Sequence, residues 1–245
     1  MALPSGWLGQ ADNFLGIDEP WCHPDQAGVY VLPAPYEHTS SYILGSDRGP
    51  SAIIEASQQV ELYDETLRYE PYREWGGVAT AATLNLDGRV DGPAVQAIQD
   101  FVQPHVGRGK FLVTLTGEHT GALGAIRAHA RNYPGMCVVQ IDAHGDLRQA
   151  YQDNPYSHAS VMARVVEDGL PLVQIGVRSI SPEEIDLIQK TPRIHTFFAA
   201  SILDPSGPYE GRAARWIPEV LAACSHSRRA AADQGEVAVS GTENT

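Results

Sequence analysis

Cysteine is scarce in this sequence, with three residues among 245. Cys22, Cys137 and Cys224 are widely separated and odd in number, so the sequence predicts neither a disulfide framework nor a zinc site built from paired cysteines. Thiols used this sparingly are typical of a reducing compartment. The sequence also lacks an apolar run of transmembrane length and an N-terminal basic region followed by an apolar core, so we expect a cytoplasmic protein.

Positive charge is also in short supply. The 17 Lys and Arg residues face 30 Asp and Glu residues, for a formal net charge of −13 at pH 7. This balance argues against nucleic acid and against anionic membrane surfaces as partners. It favours a small cationic substrate, although an acidic composition is also common among soluble enzymes.

Motifs of several common enzyme classes are missing. The sequence has no glycine-rich phosphate loop and no Gly-x-Ser-x-Gly nucleophile elbow. None of the three cysteines has a histidine partner at an indicative spacing. These absences disfavour phosphate-loop chemistry, serine hydrolysis and a thiol mechanism.

Strands and helices are predicted to alternate at short spacing along most of the chain. Apolar runs predict strands at residues 29–35, 110–118, 137–141, 172–177 and 194–200. Helices are predicted at residues 50–62, 95–102, 122–132, 157–168, 182–189 and 210–223. The alternation predicts an α/β fold in which a mainly parallel sheet is covered by helices on both faces.

The pattern predicts a single domain over residues 1–223, because no repeat and no linker interrupts it. After Ala223 the composition changes. Residues 224–245 are polar, rich in small side chains and aperiodic. Such a segment buries too little apolar surface to fold alone, so we expect it to be largely disordered.

The most informative stretch is MCVVQIDAHGD, from Met136 to Asp146. Residues 137–141 are typical of a strand buried in a parallel sheet. Asp142, His144 and Asp146 follow at alternate positions, and alternate side chains of an extended segment point to the same side. Open α/β sheets bind ligands at the carboxyl ends of their strands, so this pattern favours a metal site. The simpler alternative is a polar turn with a hydrogen-bonded histidine.

Two further histidines are candidates for the same site. His119, in TGEHTG, follows the predicted strand 110–118 and reaches the metal centre if the two strands are neighbours; otherwise it is a helix-start or core histidine. Imidazole with shared carboxylates suits Mn²⁺ or another divalent ion of intermediate hardness, and also two bridged ions. His158, in YSHAS, is either a proton shuttle or substrate contact, or a surface histidine near a helix cap.

Five segments together resemble the ureohydrolase family, and within it the agmatinases rather than the arginases. They are LPAPYEHTSSYILGSDRGPSAIIEAS, TGEHTG, QIDAHGDLRQAY, NPYSHASVMARVVE and VQIGVRSISPEE. The resemblance implies an arginase-like three-layer α/β/α sandwich, here lacking the last strands. It also implies manganese-dependent hydrolysis of a guanidino compound, most simply agmatine to putrescine and urea in polyamine biosynthesis. Other substrates such as guanidinobutyrate stay open.

The resemblance implies a role for each candidate residue. His119 would bind one manganese ion and His144 the other, and Asp142 would bridge the two ions. Asp146 would bind the first ion and orient the nucleophile. His158 would lie beside the substrate and assist proton transfer. Members of the family commonly form trimers or hexamers, so a homo-oligomer is also implied.

The sequence departs from the family pattern in its last part. Family members supply two further carboxylate ligands from an Asp-x-Asp motif and bind the guanidinium with a Glu-Pro-Gly-Gly-like segment; neither motif is present. Asp204 is a lone carboxylate in a turn. We therefore expect an incomplete binuclear site, and we hypothesise an out-of-frame or truncated ending on an agmatinase-like body. Sequencing the gene past the Ala223 codon tests this hypothesis, which is wrong if neither alternative frame encodes the two motifs.

Two other functions are compatible with the sequence. A catalytically inactive family member could serve as a binding or assembly subunit, in which case the chain folds and associates with an intact partner but releases no urea. A zinc deacetylase on a related fold fits less well, because that group's Asp-x-His motif lacks the third residue of Asp-x-His-x-Asp.

Overall fold

The computed structural model describes residues 3–204, 216–228 and 238–240. The chain divides into two compact units, residues 1–128 and 129–245. Each unit contains a parallel sheet. None of the helices in the described parts of the chain is long and apolar enough to cross a membrane.

The sheet of the first unit has three strands in the order β2-β1-β3. They are β1 (Val29–Ala34), β2 (Val78–Thr80) and β3 (Phe111–Thr116). All six residues of the central strand β1 are buried, as expected of an apolar run in a parallel sheet. A cluster of buried side chains covers β1 and β2 and includes Ile17, Cys22 and Tyr72.

The helices that begin in the first unit are α1 (Gly49–Ser57), α2 (Pro71–Glu74), α3 (Asp91–Val102) and α4 (Thr120–Asn132). Helix α3 buries Val95, Ile98 and Val102, whose spacing of three and four residues forms one apolar face. At Gly124 of α4, a Cβ atom would lie 2.6 Å from the Val95 carbonyl oxygen, so a glycine is needed where the two helices meet.

The sheet of the second unit has four strands in the order β6-β5-β4-β7. They are β4 (Val138–Ile141), β5 (Leu172–Val177), β6 (Ile194–Phe198) and β7 (Ala238–Ser240). The helices are α5 (Val161–Glu167), α6 (Pro182–Lys190), α7 (Ala199–Leu203) and α8 (Trp216–Arg228). At the start of helix α6, the Glu184 carboxylate accepts the Ser181 backbone N–H at 2.8 Å, as in one half of a capping box.

The α/β class with parallel sheets is confirmed, whereas some boundaries differ from the prediction. The helix predicted over 50–62 ends at Ser57, and the start of the helix predicted at residue 210 lies outside the described residues. Helix α8 continues past Ala223 to Arg228, because Val220 and Cys224 pack on the sheet.

The expected tail, residues 224–245, is described only in part. Its first residues belong to α8, and residues 238–240 form β7, which pairs in parallel with β4 from Val138 to Gln140. The disorder expected of the tail stays a prediction. Residues 229–237 and 241–245 lie outside the described residues, and the single domain over 1–223 stays a prediction.

Candidate metal centre

Strand β4 leads directly into the metal loop, which we define as residues 142–147. The backbone N–H of Asp142 donates to the Ile175 carbonyl, 3.1 Å away, so the loop starts where the strand pairing ends. The Asp142 side chain is only 1% exposed. Its Oδ1 accepts the backbone N–H of His144 at 2.9 Å, which forms a turn that aspartate stabilises with its own side chain.

Asp146 is the second carboxylate of the metal loop. Its φ of 51° lies in the left-handed region, which few residues other than glycine adopt. Its carbonyl accepts the N–H groups of Met162 (2.9 Å) and Ala163 (3.2 Å) at the start of α5, which anchors the loop there. One carboxylate oxygen of Asp146 lies within 4.8 Å of one of Asp142, and both residues are buried.

The structure brings Asp142 and Asp146 together by a turn rather than by the extended alternation that the sequence suggested. The His144 side chain is 51% exposed, and its Nδ1 lies 3.4 Å from Asp142 Oδ1. Its backbone forms an isolated bridge with Ser179. His144 therefore lies beside Asp142, but nearer to solvent than the two carboxylates.

A buried carboxylate, that of Glu184, binds the backbone of the metal loop. Glu184 is 4% exposed; its Oε1 accepts the Leu147 N–H at 2.9 Å and its Oε2 accepts the Ser181 N–H at 2.8 Å. A Cβ atom at Gly145 would lie 3.0 Å from Glu184 Oε1, so the loop packs closely on this side chain. Glu184 is not among the residues predicted from the sequence, although the Ser-x-x-Glu capping pattern is a signal for it.

In the first unit, His119 follows β3 and immediately precedes α4. The residue is 2% exposed, and its carbonyl accepts the Ala122 N–H at 2.9 Å in the first turn of the helix. A histidine at the end of a strand agrees with the prediction. Its role as a ligand stays a prediction.

The neighbouring residue Glu118 is fully buried and was also missed. Its carboxylate accepts the N–H groups of His38 (2.8 Å) and Thr39 (2.6 Å), and the Thr39 hydroxyl at 2.7 Å. A Cβ atom at Gly117 would lie 2.3 Å from the Tyr36 carbonyl oxygen. The segment from 36 to 39 is therefore held tightly against the end of β3.

His158 opens a short 3-10 helix after the metal loop. The predicted serine cap is present, since the Ser157 hydroxyl accepts the Ala159 N–H at 3.3 Å. The imidazole meets the Tyr151 ring edge-on, with 5.8 Å between the ring centroids, and Arg148 lies over the same ring at 5.7 Å. The contact with Tyr151 limits the orientations that the half-buried His158 imidazole can adopt.

The donor atoms of the metal loop fit a divalent cation. Two buried carboxylates this close repel each other unless a proton or a cation lies with them. Carboxylate oxygens, with the imidazole of a histidine, are ligands that suit Mn²⁺. The loop can therefore hold the ion that the resemblance implies.

Comparison with known proteins agrees with this chemistry. The Arginase family model matches residues 27–208. An N(1)-aminopropylagmatine ureohydrolase from Synechocystis is 41% identical over 227 residues, which are 91% of this chain and 71% of that protein. An agmatinase from Bacillus subtilis is 30% identical over 172 residues; the match covers 66% of this chain but only 56% of that protein.

A solved structure supports the fold. The agmatine ureohydrolase of Thermoplasma volcanium superposes with a TM-score of 0.67 at 23% identity, over 98% of this chain and 71% of that one. The arginase-like fold that the sequence predicted is confirmed by this likeness.

Proposed function

Since the chain belongs to the arginase family, whose model matches residues 27–208, we propose that it is a ureohydrolase that releases urea from a cationic guanidino compound. The observation that carries this proposal is the buried pair of carboxylates, Asp142 and Asp146, at the end of β4. Both residues lie inside the matched range. A site of this kind can bind a divalent ion, and such an ion would activate a water molecule for attack on the guanidinium carbon.

Four residues would hold manganese. His119, Asp142 and Asp146 are buried, and each offers a ligand atom. His144, beside Asp142, is the proposed ligand of a second ion. When bound, manganese would supply a Lewis acid that lowers the pKa of a coordinated water toward neutrality.

The chain's own residues would orient the reactants and move the proton. Hydrolysis breaks a C–N bond of the guanidinium, and the departing amine nitrogen must gain a proton. His158 is the proposed donor, because a positioned imidazole can transfer protons near neutral pH. Its edge-on contact with Tyr151 limits its orientation. Asp146, held at its backbone and its side chain, would orient the attacking water.

The substrate we favour is N(1)-aminopropylagmatine, because the Synechocystis ureohydrolase of that name is 41% identical to this chain. Agmatine, the substrate that the family resemblance implies, is the second candidate and is supported by the 30% identity to the Bacillus agmatinase. Both compounds are cationic, which agrees with the net charge of −13.

Urea release tests the proposal. The purified chain, loaded with Mn²⁺, is assayed with N(1)-aminopropylagmatine, agmatine and arginine, with Asp142→Asn as a matched control. We expect urea from the first two compounds, with the larger kcat/KM for N(1)-aminopropylagmatine, and none from arginine. If the wild-type chain binds Mn²⁺ but releases no urea from any of them, the hydrolase proposal is wrong and the inactive assembly subunit is favoured. Light scattering on the same sample tests the predicted homo-oligomer.

A further inference from the structure

Three polar side chains lie side by side across the sheet of the second unit. Gln140 of β4 is in register with Gln174 of β5, which is in register with Thr196 of β6. Both glutamines are fully buried. Parallel sheets are covered on both faces and normally carry apolar residues at such positions, and a buried polar group destabilises the fold unless it is hydrogen-bonded. The three side chains of this row therefore need hydrogen-bond partners within the protein.

The partners form a single directed chain that ends on the metal loop. The Thr196 hydroxyl donates to Gln174 Oε1 at 2.8 Å, and Gln174 Nε2 donates to Gln140 Oε1 at 2.6 Å. Gln140 Nε2 then donates to Asp146 Oδ2 at 3.2 Å. All three bonds point the same way, and hydrogen bonds aligned in this manner polarise and strengthen one another.

Contacts to the loop backbone fix which way each amide faces. Gln174 Nε2 also donates to the Gly145 carbonyl at 2.7 Å, and Gln140 Nε2 to the His144 carbonyl at 3.4 Å. Carbonyl oxygens only accept hydrogen bonds, so the nitrogen end of each amide must face the loop. The row thus holds both the backbone at 144–145 and the carboxylate of Asp146.

We propose that Gln140, Gln174 and Thr196 are positioning residues that hold the Asp146 carboxylate in the orientation that receives a divalent cation. Naming the cation as manganese rests on the proposed function. The three residues would set the affinity for the ion without touching it.

Variants of the row test this proposal through metal binding rather than turnover. Thr196→Val removes the first donor with almost no change of shape, and Thr196→Ser keeps the hydroxyl as a matched control. Gln174→Leu removes the link to both Gln140 and Gly145. The Mn²⁺ dissociation constant is measured by calorimetry without substrate. Hydrogen exchange of residues 142–147 is measured on the metal-free protein.

We expect Gln174→Leu to weaken Mn²⁺ binding by about 10- to 100-fold, the range typical of groups that orient a metal ligand. Thr196→Val should weaken it less, and Thr196→Ser should stay near wild type. Exchange in the loop should be faster in Gln174→Leu and Thr196→Val. Wild-type affinity in both variants would overturn the proposal.

The two proposals can fail separately. If the wild-type chain binds no Mn²⁺, the proposed function is wrong. The exchange experiment then shows whether Gln140, Gln174 and Thr196 hold the metal loop. Faster loop exchange in Gln174→Leu would still support a positioning role. Unchanged exchange in every variant would show that Gln140, Gln174 and Thr196 do not hold the loop.

Discussion

The sulfur atoms of Cys137 and Cys224 lie 3.7 Å apart, although 87 positions separate the residues in the sequence. Cys137 immediately precedes β4, and Cys224 lies on α8. Both pack against the buried cluster of Val173, Ile175 and Val220. Helix α8 therefore covers the sheet of the second unit beside the strand that leads into the metal loop.

This proximity predicts a disulfide under oxidation. A disulfide has sulfurs about 2.05 Å apart, so the two sulfur atoms must move closer together for the bond to form. Diamide, which accepts the two thiol hydrogens, should convert the pair to a disulfide, and thiol titration should show the loss of two free thiols. Cys224→Ser should block the reaction, and Cys22→Ser should leave it intact. If Cys224→Ser loses as many thiols to diamide as Cys22→Ser does, Cys224 is not the partner of Cys137, and the packing of α8 described above is contradicted.

Asp142 and Asp146 are expected to dominate metal binding. Asp142→Asn and Asp146→Asn each remove a negative charge while keeping the side-chain shape. Each should weaken Mn²⁺ binding by more than the roughly 10- to 100-fold typical of groups outside the ligand set. Isothermal titration measures the affinity. The control is Asp153→Asn, an exposed left-handed position that asparagine tolerates, and it should bind like wild type.

His158 should affect turnover but not metal binding. In the proposed mechanism it donates a proton to the departing amine, and such proton transfer contributes roughly 10²- to 10⁴-fold to the rate. His158→Asn should lower kcat within that range and leave the Mn²⁺ affinity unchanged. Tyr151→Phe keeps the ring that contacts His158 and should retain most activity. A parallel loss of metal affinity in His158→Asn would instead indicate a structural role.

Glu184 should contribute to the stability of the fold. In Glu184→Gln, an amide NH₂ replaces an oxygen that accepts either the Leu147 or the Ser181 N–H, so one buried donor loses its acceptor. The expected cost is about 1–3 kcal/mol of unfolding free energy, measured by urea denaturation. Asp186→Asn, on the same helix, changes only an exposed pair with Lys190 and should shift stability by less than about 0.5 kcal/mol. If Glu184→Gln and Asp186→Asn lower the unfolding free energy equally, the buried hydrogen bonds of Glu184 do not stabilise the fold as proposed.

Stability should fall at high pH, and Tyr36 should contribute to the fall. Burial raises the pKa of Tyr36 to about 12, while the unfolded chain has the ordinary tyrosine pKa of about 10. The folded state therefore keeps the proton longer, so the stability from this group is complete below pH ~10 and is lost as pH rises toward 12. Burial also raises the pKa values of Tyr30 and Tyr72.

Urea denaturation at pH values from 8 upward measures this slope. Tyr36→Phe should make the decline shallower without removing it, because the other two tyrosines remain. The variant also loses the hydroxyl that accepts the Asp91 N–H, so its stability at pH 8 should be lower. An unchanged slope would show that Tyr36 is not the group responsible.

Local patterns predicted the elements of the fold well. Strand β5 spans 172–177 as expected, and the serine cap at Ser157 is present. The sequence predicts a strand at 137–141, in which Gln140 is the single polar residue. In the structure Gln140 is fully buried, whereas Ile141 is 53% exposed. Hydrophobicity alone could not show that Gln140 is buried and Ile141 exposed, because the partners of Gln140 lie on β5 and in the metal loop.

The sequence by itself determined most of the strands and helices and which residues are candidate metal ligands, because these depend on short-range periodicity and residue type. Only the tertiary structure decided how the residues meet. It placed His144 toward solvent, joined Gln174 and Thr196 to Asp146 through Gln140, and brought Cys224 to Cys137. Such contacts depend on register and helix packing over tens of residues, and no local pattern encodes those distances.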